Sequence, residues 1–380
     1  MNILVLSPDY PDDRRTISSF VKQLVDEFAK LGHNIQVVAP YSLTKNRRLI
    51  KQEETYQCGN GSVTVYRPYY LSFSNYKIAG YSPNAWFLRR AYKKGLKMIK
   101  GVPDVVYGHF WSTAYHGFDY AKKHKIPLFV ATGESEIVFR CNTPHKKAFC
   151  DYVSGVVCVS SKNRNESIEL GLAVPEKCIV VPNAINTNLF KKLDKDECRR
   201  QLGFPKDAFI VSFVGWFRER KGSKRVSDAI SGITEGETVS SVFIGEGTEE
   251  PDCPNILFKG KLSHEDIPRY LNASDVFVLP TLQEGCCNAI VEAMGCGLPI
   301  ISSNLPFNTD ILNDDNSILI DPLDVDDVRN AILKLRDDDL HRRMMAANAL
   351  RTAMMLTIDM RAHRIIDYIT NTNNENITTR

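Results

Sequence analysis

Long apolar runs are missing from this 380-residue chain. No stretch approaches the roughly 18–20 consecutive apolar residues that a transmembrane helix needs. Met1 leads directly into Asn-Ile-Leu-Val-Leu-Ser, which is typical of a buried strand and not of a secretory signal. We therefore expect a cytoplasmic protein without a membrane-spanning segment.

Paired cysteine motifs are also absent. The ten cysteines include no Cys-x-x-Cys spacing, so we expect reduced, mostly buried thiols and neither a disulfide frame nor a zinc site. Cys286 and Cys287 have no nearby His or Asp partner that would activate a nucleophile. No recognition helix or stacking platform is present, so nucleic acid is not an expected partner.

Chain length and charge limit the number of domains and the kind of partner that can be expected. A chain of 380 residues fits two domains of about 150–200 residues each. The first 190 residues carry 25 basic and 15 acidic side chains, whereas the remaining 190 carry 23 and 30. The basic first half therefore predicts contact with an anionic partner.

Residues 275–304 have the pattern of one folding unit. A β-rich apolar run, Val276 to Leu279, stops at Pro280, and a helical pattern runs from Asn288 to Met294. A second strand pattern then follows. This order of strand, loop, helix and strand is the building block of a parallel sheet.

Two carboxylates fall at chemically useful places in that unit. Glu284 lies in the loop at the carboxyl end of the strand, where open α/β sheets bind ligands, and Glu292 lies on the following helix. Taken alone, either glutamate would more often be a solvated surface residue. The helix N-terminus between them offers backbone amides for phosphate or sugar oxygens, at Gly285, Cys286, Cys287 and Asn288.

The whole motif, Glu-Gly-x-x-Asn-x-x-x-Glu-Ala-Met-x-x-Gly-x-Pro-Ile, resembles the donor-site signature of retaining glycosyltransferases of family 4. The resemblance implies an α/β GT-B fold with two Rossmann-like, doubly wound parallel-sheet domains facing across a cleft. It also implies that Glu284 lies against the donor sugar and that Glu292 binds the ribose hydroxyls.

A second motif supplies positive charge. The strand from Phe209 ends at Gly215, and the loop after it resembles the Gly-Arg-x-x-x-x-Lys-Gly donor loop of the family. Lys221 would bind the donor diphosphate, on which negative charge builds as the glycosidic bond breaks. Trp216 stands at the family's arginine position, so Arg218 or Arg220 would supply the second cation.

Two further segments complete the expected donor side. A strand runs into a Gly-x-Gly turn that ends at Gly247 and is expected to face the nucleotide. The strand pattern from Ile256 to Lys261 contains Lys259, and in relatives its backbone lies along the base. Asp324 and Asp326 open a helix without any need of a metal, and we expect no metal or other cofactor.

The acceptor side is expected in the first half of the chain. The strand pattern that ends at His109 looks like the family's Asp-Val-Ile-His-x-His strand, which places His109 near the sugar-transfer centre. Gly133 stands where relatives have a histidine, and Glu134 is the substitute polar contact. Arg14 and Arg15 lie in the first strand's loop, either as phosphate contacts or as part of a solvated turn.

Residues 45–100 combine basic residues with aromatic ones. This combination is what an interfacial element uses on anionic lipid headgroups, and an ordinary amphipathic surface helix is the alternative. Because the resemblance implies a lipid-linked acceptor for many family members, we expect peripheral contact with the inner face of the plasma membrane.

These patterns together predict an acceptor-binding domain (1–185), a nucleotide-sugar donor domain (186–357), and a C-terminal helix crossing back to the first domain with a disordered tail (358–380). The expected activity is that of a hexosyltransferase, which transfers a sugar with retention of its anomeric configuration. It would use a nucleotide-diphosphate sugar, with UDP the family's commonest, and a lipid-linked or growing glycan of capsule, lipopolysaccharide or exopolysaccharide. A sugar-nucleotide epimerase of the same fold and a catalytically silent partner subunit are the alternatives. Donor sugar, acceptor, linkage and oligomeric state stay open.

Overall fold

The structure is a computed structural model that describes residues 1–13, 18–72, 83–139, 145–233 and 239–378. The chain forms two compact units. Unit 1 comprises Met1–Val159, Asn163–Val181 and Arg361–Arg380, and unit 2 comprises Ser160–Lys162 and Pro182–Met360.

Unit 1 is built on a mostly parallel sheet. Within the described residues this sheet has eight strands in the order β10-β9-β8-β7-β1-β2-β5-β4, and only β4 runs antiparallel to its neighbour. A two-residue pair, β3 with β6, lies outside it. The strands are β1 Asn2–Leu6, β2 Asn34–Val38, β3 Tyr41–Ser42, β4 Glu53–Cys58, β5 Gly61–Tyr66, β6 Tyr69–Tyr70, β7 Val105–His109, β8 Leu128–Thr132, β9 Gly155–Cys158 and β10 Cys178–Val180.

Helices cover this sheet because each buries one apolar stripe. In α1 the stripe is Val21, Leu24, Val25 and Phe28, at the helical spacing that the sequence shows. The helices are α1 Ser19–Lys30, α2 Leu43–Asn46, α3 Pro83–Leu96, α4 Trp111–Tyr115, α5 Phe118–His124, α6 Lys146–Tyr152 and α7 Ser161–Glu169, with a 3₁₀ turn at Pro175–Lys177.

Unit 2 has an all-parallel six-stranded sheet within the described residues, in the order β13-β12-β11-β14-β15-β16. Its strands are β11 Phe209–Val214, β12 Val239–Ile244, β13 Ile256–Gly260, β14 Val276–Leu279, β15 Ile300–Ser303 and β16 Ser317–Ile320. Its helices are α8 Lys195–Leu202, α9 Ser223–Ser231, α10 Ile267–Ala273, α11 Asn288–Gly295, α12 Val325–Asp337 and α13 Asp339–Met354. The predicted strand–loop–helix–strand unit is confirmed as β14, α11 and β15.

The direction of winding reverses between β11 and β14. Successive strands are added on one side of β11 up to β13, and from β14 onward on the other side. Such a reversal leaves a crevice at the carboxyl ends of the two central strands, where open α/β sheets bind ligands. The loops after β11 and β14 are therefore the place to look for a site.

The last helix, α14 Ile358–Thr378, corrects one expectation. A disordered tail was predicted at the end of residues 358–380, but the helix continues through Thr378. Its buried Ile365 and Ile369, and the Tyr368 hydroxyl that donates to the Lys177 carbonyl at 2.6 Å, hold it within unit 1. Among the described helices, none is both long and apolar enough to cross a bilayer.

Candidate active site

The loops after β11 and β14 are joined to each other by hydrogen bonds. The Leu282 amide donates to the Arg220 carbonyl at 2.8 Å, and the Arg225 guanidinium donates to the Pro280 carbonyl at 2.7 Å. Gly222 has φ +83°, and a Cβ there would lie 2.8 Å from the Pro280 oxygen, so only glycine fits this crossing. The two loops therefore form one fixed structure.

A buried ion pair lies where these loops meet. The Lys221 Nζ is 2.5 Å from the Glu284 Oε1, and the two side chains are only 13% and 11% exposed. The Thr281 hydroxyl is 2.9 Å from the same oxygen, and the Arg220 Nη1 is 3.3 Å from it. The structure thus brings both residues of the two sequence motifs to one point, with Arg220 as a second cation.

The Lys221 ammonium is charged at neutral pH. Burial has the largest influence and lowers the pKa of Lys221, but the Cys287 thiolate, which forms only in the alkaline range where lysine titrates, and the Glu284 contact oppose it, so the pKa of Lys221 is raised from its ordinary value. Burial in turn raises the pKa of the Cys287 thiol, which leaves it neutral. Cys287 is therefore not a thiolate nucleophile at neutral pH, and Glu284 is the side chain that contacts the Lys221 ammonium.

The stretch from Gly285 to Asn288 leads from the ion pair into α11. Gly285, Cys286 and Cys287 are buried, and α11 begins at Asn288. The Asn183 side chain donates to the Cys286 carbonyl at 2.8 Å, which fixes this approach to the helix. These residues therefore lead into a helix N-terminus, as the sequence predicts, and their contact with a donor stays a prediction.

Glu292 has a partner that the sequence did not reveal. Its Oε1 lies 2.9 Å from the His264 Nε2, and the His264 ring packs edge-on against Phe190 at 5.0 Å. The hydrogen bond to Glu292 is the main cause of a raised pKa for His264. His264 follows β13 by four residues, and its place after a strand end was the one available signal.

Glycines allow the ends of β11, β12 and β13 to meet closely. A Cβ on Gly245 would lie 1.9 Å from the Gly215 carbonyl oxygen, and one on Gly247 would lie 2.2 Å from the Phe217 oxygen. The Gly215 amide donates to Ile244, and the Gly245 amide donates to Gly260, both at 2.9 Å. The backbones of these strand ends therefore meet directly at this edge of the sheet.

Two family models match this chain. Residues 194–352 match the family model for glycosyl transferases group 1, and residues 17–189 match that for glycosyltransferase family 4. The chain belongs to the family 4 glycosyltransferases. The predicted enzyme class is thereby confirmed.

Relatives and solved structures agree with this assignment. The glycosyltransferase is 25% identical over 377 residues to the teichuronic acid biosynthesis glycosyltransferase TuaC of Bacillus subtilis, with 93% of each chain covered. It is 29% identical over 256 residues to the Escherichia coli UDP-Gal:alpha-D-GlcNAc-diphosphoundecaprenol alpha-1,3-galactosyltransferase, covering 63% of this chain and 62% of that one.

The solved structures show the fold. Sucrose-phosphate synthase from Thermosynechococcus elongatus superposes with a TM-score of 0.79 at 17% identity, covering 98% of this chain and 99% of that one. Anabaena HepE in complex with UDP and glucose gives 0.69 at 17% identity, covering 98% and 100%. The predicted GT-B fold class is therefore confirmed.

The Trp216 and Arg218 side chains contact each other, whereas Lys221 and Arg220 contact Glu284. The Arg218 guanidinium stacks on the Trp216 ring at 5.1 Å, and Trp216 is 51% exposed. Arg220 instead donates to the Gln283 carbonyl within the Glu284 loop. Of the two arginines that the sequence left open, the structure places Arg220 in the ion-pair cluster of this glycosyltransferase.

The Lys259 side chain makes only local contacts among the described residues. Its ammonium lies 3.0 Å from the Glu250 carboxylate and 3.3 Å from the Pro251 carbonyl, on the exposed side of β13. Its side chain is thus engaged by these neighbours, and a role for this strand along a nucleobase would rest on its backbone.

Asp324 caps α12 by accepting from the amides of Asp326 and Asp327.

His109 ends β7 in unit 1 and is buried. Its Nε2 has no hydrogen-bond partner among the described residues, and its ring contacts the edges of Tyr107, Phe20 and Phe110. Burial, and then the charge of Arg361, lower the pKa of His109 to about 3. The imidazole is therefore neutral at neutral pH. It can donate or accept a hydrogen bond, but it cannot serve as a cationic acid.

Glu134 is held by its own neighbourhood. Its Oε2 accepts from the Thr132 hydroxyl at 2.7 Å and from the Gly133 amide at 2.9 Å, while burial raises the pKa of the carboxyl. These contacts give Glu134 a local structural role, and its predicted acceptor contact stays a prediction. Arg14 and Arg15 lie outside the described residues.

Proposed function

We propose that this glycosyltransferase moves a sugar, with retention of configuration, from a UDP-sugar to a hydroxyl of a lipid-linked or growing glycan in surface-polysaccharide synthesis. The observation that supports this most is the buried contact between Lys221 and Glu284. A desolvated cation at the carboxyl edge of a nucleotide-binding sheet suits a diphosphate leaving group.

Each group at the ion pair has a chemical task in this proposal. When the bond between the sugar and the diphosphate breaks, negative charge accumulates on the leaving phosphate oxygen. Lys221 and Arg220 stabilise that charge, and because the Lys221 ammonium is already held in a nearly dry position, little reorganisation is needed there. Glu284 positions Lys221 and accepts from a sugar hydroxyl, and Glu292 holds the ribose hydroxyls.

Retention is proposed to follow from attack on the same face as the leaving group. Glu284 is already engaged by Lys221 and Thr281, so it is a poor nucleophile for a covalent intermediate. The acceptor oxygen forms the new bond to the sugar carbon while the old carbon–oxygen bond to phosphate breaks. The acceptor proton passes to the departing phosphate oxygen, and because Lys221 and Arg220 stabilise the charge that builds on the diphosphate, the proposal requires no metal.

The names of two relatives support the proposed substrates. The Escherichia coli relative is named for UDP-Gal and a diphosphoundecaprenol-linked sugar, and TuaC for teichuronic acid biosynthesis. HepE has been solved with UDP and with UDP-glucose. A lipid-linked acceptor would bring this chain to the inner face of the plasma membrane, and the basic, aromatic residues 45–100 are the proposed contact.

A thermal-shift screen tests the donor. UDP, UDP-glucose, UDP-galactose and GDP-mannose are compared, and a ligand at about 100 times its Kd should stabilise the native state by ~2.7 kcal/mol. At least one UDP-sugar is expected to raise the Tm by several degrees, and NMR of the transfer product should show the donor's anomeric configuration. No shift with any nucleotide sugar, or an inverted product, would refute the proposal.

A further inference from the structure

A groove of about 840 Å³ opens in unit 1 between α3 and the β6 and α2 segments. Its apolar side includes Trp86, Phe87 and Leu71. Trp86 is 57% exposed and Leu71 is 41% exposed, and the Trp86 and Phe87 rings meet edge-on at 4.8 Å. Large apolar side chains that stay exposed together mark a binding surface more often than an ordinary protein surface.

The charged side of the same groove is a row of cations. Arg90, Lys93 and Lys94 lie on α3, and Lys97 follows its end. Arg90 stacks over the Trp86 ring at 5.4 Å. Within the described part of the chain, no carboxylate pairs with Arg90, Lys93 or Lys97, so the groove has uncompensated positive charge next to its apolar side.

The groove is formed before any ligand arrives. Tyr92 and Gly95 of α3 are buried against the rest of unit 1. A Cβ on Gly95 would lie 2.4 Å from the Val38 Cγ1, so α3 packs against β2 at a distance that only glycine allows. The Tyr92 hydroxyl donates to the Ser7 carbonyl at 2.9 Å. A fixed helix keeps its cations at a constant spacing, which lowers the cost of binding.

We propose that this groove binds a lipid diphosphate, with the diphosphate on Arg90, Lys93 and Lys97 and the first part of the apolar chain against Trp86 and Leu71. The ligand class follows from the juxtaposition, because an ion pairs with the cations alone and a neutral lipid contacts the apolar side alone. The inference rests on the proposed function, in which the lipid carries the acceptor, and it places the carrier in unit 1, separate from the donor residues.

Titration of the full-length protein with farnesyl diphosphate tests the groove. We expect saturable binding by calorimetry and a change in tryptophan emission that is lost in Trp86→Phe. Replacing Lys93 and Lys97 by Gln should weaken binding roughly 10- to 30-fold, since each cation near an anionic lipid contributes on the order of 1 kcal/mol. The matched control, Lys122→Gln with Lys123→Gln, removes two exposed lysines from α5 and should bind as the wild type does.

The comparison ligands distinguish the sources of binding. Farnesol and inorganic diphosphate should each bind at least tenfold more weakly than farnesyl diphosphate. Equal binding of inorganic diphosphate, or equal losses in the two double variants, would overturn the proposal. The UDP-sugar thermal shift of the Lys93→Gln, Lys97→Gln variant should match the wild type, so a lost lipid site and a wrong donor assignment give different results.

Discussion

Lys221 is held charged in a nearly dry position by a carboxylate from another loop, and this makes its removal informative. Lys221→Met should lower kcat by about 100-fold or more, because a preorganised donor to the leaving group is lost. The matched control is Lys224→Met, which removes a partly exposed lysine that pairs with Asp228 and Asp252. Such surface pairs contribute ~1 kcal/mol or less, so its kcat should stay near wild type. Equal losses in both variants would contradict the assigned role.

The two arginines of the same loop form a second matched pair. Arg220 lies 3.3 Å from the Glu284 Oε1, whereas Arg218 stacks on the exposed Trp216. Arg220→Gln should therefore reduce kcat by about tenfold or more, and Arg218→Gln should change it by less than about threefold. Steady-state kinetics with a saturating donor measure both. The reverse order of effects would assign the second cation to Arg218.

Local spacing predicted some of these residues and not others. Glu284 could be placed because it follows a strand end within a few residues, and Lys221 could be found because its loop resembles the family's donor loop. The engagement of Glu134 by Thr132 and Gly133 depends on side-chain geometry that no pattern carries. Choosing Arg220 over Arg218 likewise required the path of the Gln283 backbone, which comes from a distant part of the chain.

At the scale of elements, α11 and the loop after β13 are joined by the contact between His264 and Glu292, and this contact should depend on pH. The folded pKa of His264 is raised above its unfolded value of about 6.5. The stabilisation is therefore complete below pH ~6.5 and is lost as the pH rises through the raised folded value. The Tm difference between wild type and His264→Gln should shrink between pH 6 and pH 9.

Loss of packing against Phe190 provides the internal control for that experiment. The His264 ring contacts Phe190 in either protonation state, so its replacement should give a constant offset at every pH. Only the pH-dependent part of the Tm difference reports the ion pair. A difference that is flat across this range, or that grows as the pH rises, would show that Glu292 does not bind the charged imidazole.

Element prediction succeeded where the signal was local and failed at the end of the chain. The unit of β14, α11 and β15 could be predicted because apolar runs, turn residues and a helical pattern follow each other without a gap. The polar composition after Thr370 suggested disorder, yet α14 continues to Thr378. The helix is anchored before that point by Ile365, Tyr368 and Ile369 in unit 1, and a helix that is already nucleated extends at low cost into the polar residues that follow.

On the scale of the whole molecule, charge is divided unequally along the chain, with 25 basic and 15 acidic side chains in the first 190 residues and 23 and 30 in the rest. The proposed contact of residues 45–100 with an anionic membrane should therefore be electrostatic. Binding to vesicles with about 30 mol% phosphatidylglycerol should be measurable by sedimentation at ~50 mM salt, because each cation near the surface contributes about 1 kcal/mol.

Salt and lipid charge separate this attraction from apolar insertion. At ~500 mM salt the Debye length falls to a few ångströms, so most of the bound protein should be released. Vesicles of phosphatidylcholine alone should retain little protein at either salt concentration, because they lack the negative surface potential that acts on the basic half. Binding that persists in high salt, or that is equal on the uncharged vesicles, would show that the excess of basic residues does not bring this glycosyltransferase to a membrane.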